Sequence, residues 1–201
     1  MKKIFIYVML LFPGIISAQL GAKAGLNFAN ITHADEINGS NRTGFHAGIF
    51  LAGSSKSILS SRTEFLFSRQ GYNFQSGTNT GNVNLDYLML PQLFAINITP
   101  LFQIQAGGQI AYLLNAEVDT AGTGNSTIDK AIDLYNRIDF GVAGGIEVHP
   151  IKMLIVGARI NFSLGRLYKV PEPGQQYDFI PDFDAKNNLF QIFAGVKFGG
   201  G

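Results

Sequence analysis

The chain has 201 residues, of which 24 are glycine, 17 phenylalanine and 7 tyrosine, while only 14% are charged. This composition is rich in turn-forming and strand-forming residues and favours an all-β fold in a single domain. The net charge of +1, with no long run of one sign, argues against a nucleic-acid partner. Because cysteine is absent, disulfides, thiolate metal sites and a cysteine nucleophile are excluded.

Residues 1–18 have the order of a cleavable secretory signal peptide. Lys2 and Lys3 precede an apolar run, and small residues end the run at Ala18. The run is shorter than the ~20 apolar residues that a spanning helix needs, so a membrane anchor is the weaker interpretation. We expect cleavage after Ala18, which leaves residues 19–201 as one domain. No later segment reaches ~18 continuous apolar residues, so only strands are left to cross a membrane.

Eight segments of the mature chain alternate between apolar residues and polar or small residues. Each is about ten residues long, which is the length of a tilted membrane strand. In each segment one face is apolar and the other carries glycine, amides and charges, although the fourth segment alternates least cleanly. The segments are residues 20–28, 43–52, 58–70, 85–97, 102–112, 136–148, 154–165 and 188–198.

The connections between these segments alternate in length. Long connections follow the first, third, fifth and seventh segments, whereas short ones follow the second, fourth and sixth, as at Thr99-Pro100 and His149-Pro150-Ile151. Bacterial barrels place short turns in the periplasm and long loops outside the cell. The sequence therefore predicts an eight-stranded antiparallel up-and-down transmembrane β-barrel in the outer membrane, with both termini in the periplasm and the last strand paired with the first.

Several short motifs resemble one known family. Residues 87–91 read Tyr-Leu-Met-Leu-Pro, residues 158–165 read Ala-Arg-Ile-Asn-Phe-Ser-Leu-Gly, and residues 21–27 read Gly-Ala-Lys-Ala-Gly-Leu-Asn. Together they resemble the PorT-like outer-membrane β-barrel family of Bacteroidetes, although that family commonly carries an acidic residue where this chain has Met89. The resemblance implies an eight-stranded outer-membrane barrel, and most members have no established activity. For such a barrel we expect outer-membrane lipid and the barrel-assembly machinery as partners.

Eight charged residues fall on the face opposite the apolar one. Eight strands leave interior space only for side chains, and charges buried there must pair to offset their desolvation. We therefore predict a filled, ion-paired lumen rather than an open channel, with Arg62, Glu64 and Arg159 in one network. The predicted lumen residues are Lys23, Arg62, Glu64, Arg137, Asp139, Glu147, Arg159 and Lys197.

No catalytic, cofactor or metal site is predicted. The three histidines lie at positions predicted as outer loop, lumen and periplasmic turn, without a metal-ligand spacing, namely His33, His46 and His149. A strained Gly-x-Ser-x-Gly turn is also absent. Tyrosines near strand ends are expected to form girdles at the lipid headgroups. These are Tyr72, Tyr87, Tyr112, Tyr135 and Tyr168.

The predicted function is structural or surface-interacting, with any protein or surface ligand held by the long extracellular loops. One alternative is a soluble periplasmic lipocalin-like barrel that stores a small apolar ligand. That alternative requires the apolar face, with Phe65, Ile104 and Phe162, to point inward, and Arg62, Gln105 and Arg159 to point to water. A further alternative, a barrel lipid-modifying enzyme, requires a histidine in contact with a serine or carboxylate on one rim.

Overall fold

A computed structural model describes residues 19–31, 40–54, 57–76, 79–122, 125–130, 132–169 and 185–198. Residues 1–18, where the sequence predicts the signal peptide, lie outside the described residues, as does His33. Within the described ranges, no helix is long and apolar enough to cross a membrane. These ranges form β1 (Gln19–Ile31), β2 (Ser40–Ala52), β3 (Leu59–Ser76), β4 (Asn79–Thr99), β5 (Phe102–Gly122), β6 (Asn125–Lys130), β7 (Ile138–Ile151), β8 (Leu154–Ser163) and β9 (Asn187–Phe198), with one 3-10 turn at Ile132–Leu134.

Eight of these strands close into one antiparallel barrel. The neighbours run from β1 through β5 in order, then to β7, β8 and β9, and β9 returns to β1. At the seam, Leu20 on β1 pairs with Phe198 on β9. Strand β6 stands apart from the closed wall and pairs with the end of β5. The predicted eight-stranded up-and-down barrel is confirmed, and closure leaves its wall without a free edge.

The two ends of the barrel differ in their connections. At one end, here called the short-turn end, β4 passes to β5 between Thr99 and Phe102, and β7 passes to β8 between Ile151 and Leu154. At the other, here called the loop end, the connections after β1 and β8 are much longer. For these connections the distribution is the one that the alternating spacing predicts, whereas the connection after β3 is short.

The apolar face of the strands points outward and the polar face points inward. Phe65, Ile104 and Phe162 are 45–49% exposed on the outer surface, whereas Arg62 and Arg159 are 1% exposed. The sequence alternates in this way because a strand places successive side chains on opposite faces. The lipocalin-like alternative is therefore wrong, since it requires the reverse assignment.

The three longest strands run well beyond the ends that the sequence predicts. β3 has 18 residues, while β4 and β5 have 21 each. The segment predicted as a long loop between the third and fourth strands instead continues as paired strand, up to the pair of Ser76 with Asn79. Beyond the barrel these strands and β6 form a four-stranded extension, here called the projecting sheet (residues 71–76, 79–86, 115–122 and 125–130).

Gly71 lies at an irregularity of β3 near the loop end of the barrel wall. Its φ of 148° is a backbone conformation that side chains other than glycine rarely adopt. An added Cβ would also collide with the carbonyl oxygen of Val83 on β4. The register between β2 and β3 shifts just here, between Asn41 and His46. The glycine therefore permits the irregularity through which β3 continues into the projecting sheet.

Candidate functional site

Glu64 on β3 lies at the centre of a buried ion-pair cluster. Its carboxylate accepts two hydrogen bonds from the Arg159 guanidinium, at 2.7 and 2.8 Å. The Lys23 ammonium lies 2.7 Å from the same carboxylate, and the Arg62 Nε lies 3.6 Å from it. All four side chains are at most 1% exposed. Their attraction is therefore weakly screened by solvent, and each charge depends on its neighbours for compensation.

Glu147 on β7 is the second buried carboxylate. It pairs with Arg62, which therefore lies between the two carboxylates. Gln103 donates a hydrogen bond to Glu147 at 3.0 Å. Gln105 donates to Glu147 at 3.2 Å and accepts from Arg159 at 2.9 Å, so it joins the two halves of the network.

The network reaches the short-turn end through His149. The His149 Nε2 lies 2.8 Å from a Glu147 carboxylate oxygen, and the Lys197 Nζ lies 3.4 Å from the other ring nitrogen of His149. The sequence placed His149 at a periplasmic turn, but β7 continues to Ile151 and the imidazole is 4% exposed inside the barrel. Positions 147 and 149 are two residues apart on one strand, so the sequence indicates that His149 shares the inward face with Glu147.

Glycines on neighbouring strands provide the room for these long side chains. Lys23 pairs across the sheet with Gly48 and Gly195, and Arg159 pairs with Gly145. A Cβ added at Gly195 would lie 2.8 Å from the Lys23 Cβ, and one added at Gly145 would lie 3.1 Å from the Arg159 Cβ. The alternation of large and very small residues is how a narrow barrel accommodates side chains inside.

Aromatic rings contribute further partners to the buried cations. The Lys23 Nζ lies 4.1 Å from the centroid of the Phe193 ring, and the Arg62 guanidinium lies 4.1 Å from that of Phe50. Such cation–π contacts are worth more when both partners are desolvated, as they are here. In this cluster, two carboxylates compensate four cationic side chains, so the aromatic rings add to the compensation of the positive charge. The four cationic residues are Lys23, Arg62, Arg159 and Lys197.

Two of the eight predicted lumen residues lie apart from this cluster. Arg137 precedes β7, its side chain is 43% exposed, and its guanidinium lies 3.7 Å from the exposed Asp133. It does not reach the lumen because β7 begins only at Ile138, one residue after it. Asp139 points inward nearer the loop end, where its carboxylate accepts a hydrogen bond from Ser163 at 2.7 Å. The structure brings together the other six, Lys23, Arg62, Glu64, Glu147, Arg159 and Lys197.

Above the charged cluster, amide side chains form a continuous hydrogen-bonded chain. Asn161 donates to Gln191 at 3.0 Å, and Gln191 donates to Asn27 at 2.9 Å. Asn27 in turn donates to Ser68 at 2.9 Å and lies 2.8 Å from the His46 Nδ1. These groups are all at most 1% exposed, so the chain satisfies polar atoms that would otherwise be costly to bury.

A family model decides where this chain belongs. Residues 12–169 match the model described as "Outer membrane protein beta-barrel domain". The chain belongs to this family. It is therefore an outer-membrane β-barrel protein, as its outward apolar face requires. No curated protein sequence matches the chain.

Several solved structures of small outer-membrane proteins are similar to this chain. The attachment invasion locus protein Ail of Yersinia pestis is 12% identical with a TM-score of 0.52, and the match covers 91% of this chain and 100% of Ail. A second Ail structure, in complex with the heparin analogue sucrose octasulfate, has the same identity and coverages with a TM-score of 0.50. OprG of Pseudomonas aeruginosa is 10% identical over 93% of this chain and 99% of OprG, with a TM-score of 0.46.

The loop end of this outer-membrane barrel contains a buried tyrosine cluster. The Tyr72 hydroxyl lies 2.6 Å from the Tyr168 hydroxyl and 3.0 Å from that of Tyr135, and the three residues are at most 1% exposed. The girdle prediction is wrong for these tyrosines and for Tyr87, which is 2% exposed. It fits Tyr112, which is 42% exposed on the outer face.

The tyrosine cluster belongs to an apolar core that fills the loop end of the barrel interior. This loop-end core also contains side chains from the barrel wall, from the projecting sheet and from the segments that follow β6 and β8, namely Leu66, Phe74, Val83, Leu85, Met89, Leu113, Ala116, Val118, Leu167 and Ala185. The sequence does not predict this core, because β4 carries apolar residues on both faces there. The poor alternation of the fourth segment indicates a strand whose two faces both contact apolar surroundings.

Proposed function

We propose that this protein is a closed outer-membrane barrel that acts at the cell surface through its projecting sheet. The observation that carries the proposal is a reversal of polarity along β3 and β4. Tyr72, Phe74 and Val83 point inward and are at most 4% exposed, whereas Gln75 and Asn84 occupy outer positions. A sheet with an apolar inner face and a polar outer face suits water rather than lipid.

The length of the strands supports the same conclusion. A tilted strand crosses the membrane in about ten residues, and β4 and β5 have 21 each. On β3, residues 74–76 lie beyond the last pair with β2 and add about 10 Å at ~3.3 Å per residue. Within the described residues, β6 pairs on one side only, with β5. Its other edge has backbone groups available for an added strand from a partner.

We further propose that the lumen does not conduct. The charged cluster, the amide chain and the loop-end core follow one another along the interior, and their side chains are buried. In a planar bilayer we expect the purified protein to give no single-channel steps. Regular steps at physiological salt would refute a closed lumen. The same measurement on Tyr72→Ala serves as a comparison, because that change opens space in the loop-end core.

Orientation is tested by the surface accessibility of epitope tags. One tag is inserted between β5 and β6 after Gly122, and a matched tag is inserted in the β7–β8 turn after Lys152. We expect antibody to label the first tag on intact cells and the second only after permeabilisation, with the termini in the periplasm. Labelling of the Lys152 tag on intact cells would contradict the proposal.

A binding role is tested by trimming the projecting sheet. Replacing residues 119–130 with an Asn-Gly turn removes β6 and leaves the barrel wall intact. Because Ail has been crystallised with a heparin analogue, sulfated polysaccharide is a suitable first surface, with cell-to-cell aggregation as the second. Equal adherence of cells with whole and trimmed protein on both surfaces would favour a purely structural role.

The finer assignments remain proposals. We propose that residues 1–18 are a cleaved signal peptide and that assembly uses the barrel-assembly machinery. Mass spectrometry of the mature N-terminus tests cleavage after Ala18. Membership of the PorT-like group remains a prediction from the short motifs.

We propose that the barrel has no catalytic activity. The His149 and Glu147 side chains are in contact, but they are 4% and 0% exposed inside the barrel. They therefore lie away from the lipid-facing rim that a lipid-modifying enzyme requires.

A further inference from the structure

A small cavity lies inside the barrel between the amide chain and the loop-end core. It has room for about one water-sized occupant. Its polar lining comes from Gln70, Gln109, Asp139, Asn161 and Asn187, with Tyr87 on the same wall. The four amide residues are 1–8% exposed. The lining residues belong to β3, β4, β5, β7, β8 and β9, so the fold brings the cavity together from six strands.

The amide side chains present unpaired oxygen atoms to this cavity. Within the described structure, Gln109 Oε1, Asn161 Oδ1 and Asn187 Oδ1 have no hydrogen-bond partner. The orientation of two of these amides follows from their NH₂ groups, since Asn161 donates to Gln191 at 3.0 Å and Asn187 donates to Gln70 at 2.6 Å. The free atoms of Asn161 and Asn187 are therefore acceptors, and a buried acceptor without a partner is destabilising.

Asp139 adds a carboxylate to the same wall. It accepts hydrogen bonds from the Ser163 hydroxyl at 2.7 Å and from the backbone N–H groups of Phe140 and Gly165. Among the described residues, no lysine, arginine or histidine nitrogen lies within 4.0 Å of it. The cations of the interior pair instead with Glu64 and Glu147. The cavity thus combines one carboxylate without a cationic partner and three amide oxygens without a donor.

We propose that this cavity binds a hard inorganic cation through oxygen ligands. A water molecule has two hydrogens and leaves at least one of the three amide oxygens unsatisfied, whereas a cation can be coordinated by all three and by the Asp139 carboxylate. Carboxylate and Asn or Gln carbonyl oxygens are ligands that Ca²⁺ accepts, and weak extracellular sites have dissociation constants of about 10⁻⁴ to 10⁻³ M. With a single carboxylate, the site belongs at the weak end of that range.

Thermal unfolding of the full barrel in detergent tests the proposal. Melting temperatures are measured after chelator treatment, at constant ionic strength, in choline chloride alone and with NaCl or CaCl₂ added. Choline is too large for the cavity, so it serves as the ionic-strength reference. We expect the melting temperature to rise and saturate with one of the small cations, at millimolar concentration for Ca²⁺. The NaCl and CaCl₂ series distinguish a monovalent from a divalent occupant.

Variants connect this response to the cavity. Asp139→Asn should abolish the cation-dependent rise, and Asp133→Asn, which removes a 91% exposed carboxylate from the same end, should retain it. Gln109→Met keeps the side-chain length and removes one oxygen, so it should shift the midpoint of the response to higher cation concentration even if Asp139→Asn does not fold. No response in the unaltered protein would identify water as the occupant and overturn the proposal. A response of equal size in Asp139→Asn, or an unshifted midpoint in Gln109→Met, would also overturn it.

Discussion

Replacing Glu64 by glutamine tests whether the barrel depends on its buried charge cluster. Glutamine has nearly the same shape, so the substitution removes charge without creating a cavity. The interactions that lose the carboxylate charge are two hydrogen bonds from Arg159 at 2.7 and 2.8 Å and the ion pair with Lys23 at 2.7 Å. A hydrogen bond to a charged group contributes about 1.5–3 kcal/mol, and breaking a buried ion pair costs about 3–5 kcal/mol because the remaining charge is left uncompensated. We therefore expect the free energy of unfolding to fall by about 3–5 kcal/mol.

The assay is urea unfolding in lipid vesicles, followed by the mobility difference between heated and unheated samples on a gel. Asp133→Asn is the control, because that carboxylate is 91% exposed and its loss should change stability by less than about 1 kcal/mol. The double variant Lys23→Met with Glu64→Gln should recover part of the loss, since it removes a cation that has lost its partner. A loss below about 1 kcal/mol for Glu64→Gln would refute the view that these charges depend on one another.

Tyr72→Phe removes the hydroxyl at the centre of the tyrosine cluster, and we expect the free energy of unfolding to fall by about 1–3 kcal/mol in the same assay. The control Tyr112→Phe, on the outer face, should change it by close to zero. Equal losses in the two variants would argue against the hydrogen bonds at 2.6 and 3.0 Å. Ile192→Arg places a charge on the lipid face at mid-strand and should cost about 2–4 kcal/mol, compared with about 0–1 kcal/mol for Phe198→Arg at the strand end. If the cost were the same at both positions, the assignment of the membrane midplane would be wrong.

The barrel wall was predictable from sequence because lipid outside and a narrow lumen inside impose opposite preferences on successive residues. β8 illustrates this, with Val156, Ile160 and Phe162 outside and Arg159 and Asn161 inside. Its alternation is visible without any other strand. The pairing of Arg159 with Glu64 is a different matter, since these residues are 95 positions apart in sequence and which interior charges meet depends on barrel register. The alternation predicts which residues point into the barrel, whereas barrel closure determines which of them form pairs.

The projecting sheet and the loop-end core escaped prediction because the environment of the strands changes along their length. Inward positions of β3 carry Glu64, Ser68 and Gln70 in the barrel and then Tyr72 and Phe74 beyond it. A search for strands with an apolar outer face stops at Gln70, although the backbone continues with unchanged parity. The buried tyrosines were assigned to the headgroup region for the same reason. Position parity indicates that Tyr72 points inward. At the loop end the inward face packs against apolar side chains, whereas lower in the barrel it packs against polar ones.

The interior is therefore divided into three parts along the barrel axis, each with its own way of compensating buried groups. At the short-turn end, cations are balanced by Glu64, Glu147 and aromatic rings. In the middle, amides hydrogen-bond to one another. At the loop end, apolar packing excludes water. The cavity at Asp139 lies where the amides give way to the apolar core, and the side-chain oxygens of Gln109, Asn161 and Asn187 have no protein donor within the described residues. A bound cation there would complete the compensation that the other two parts achieve with side chains alone.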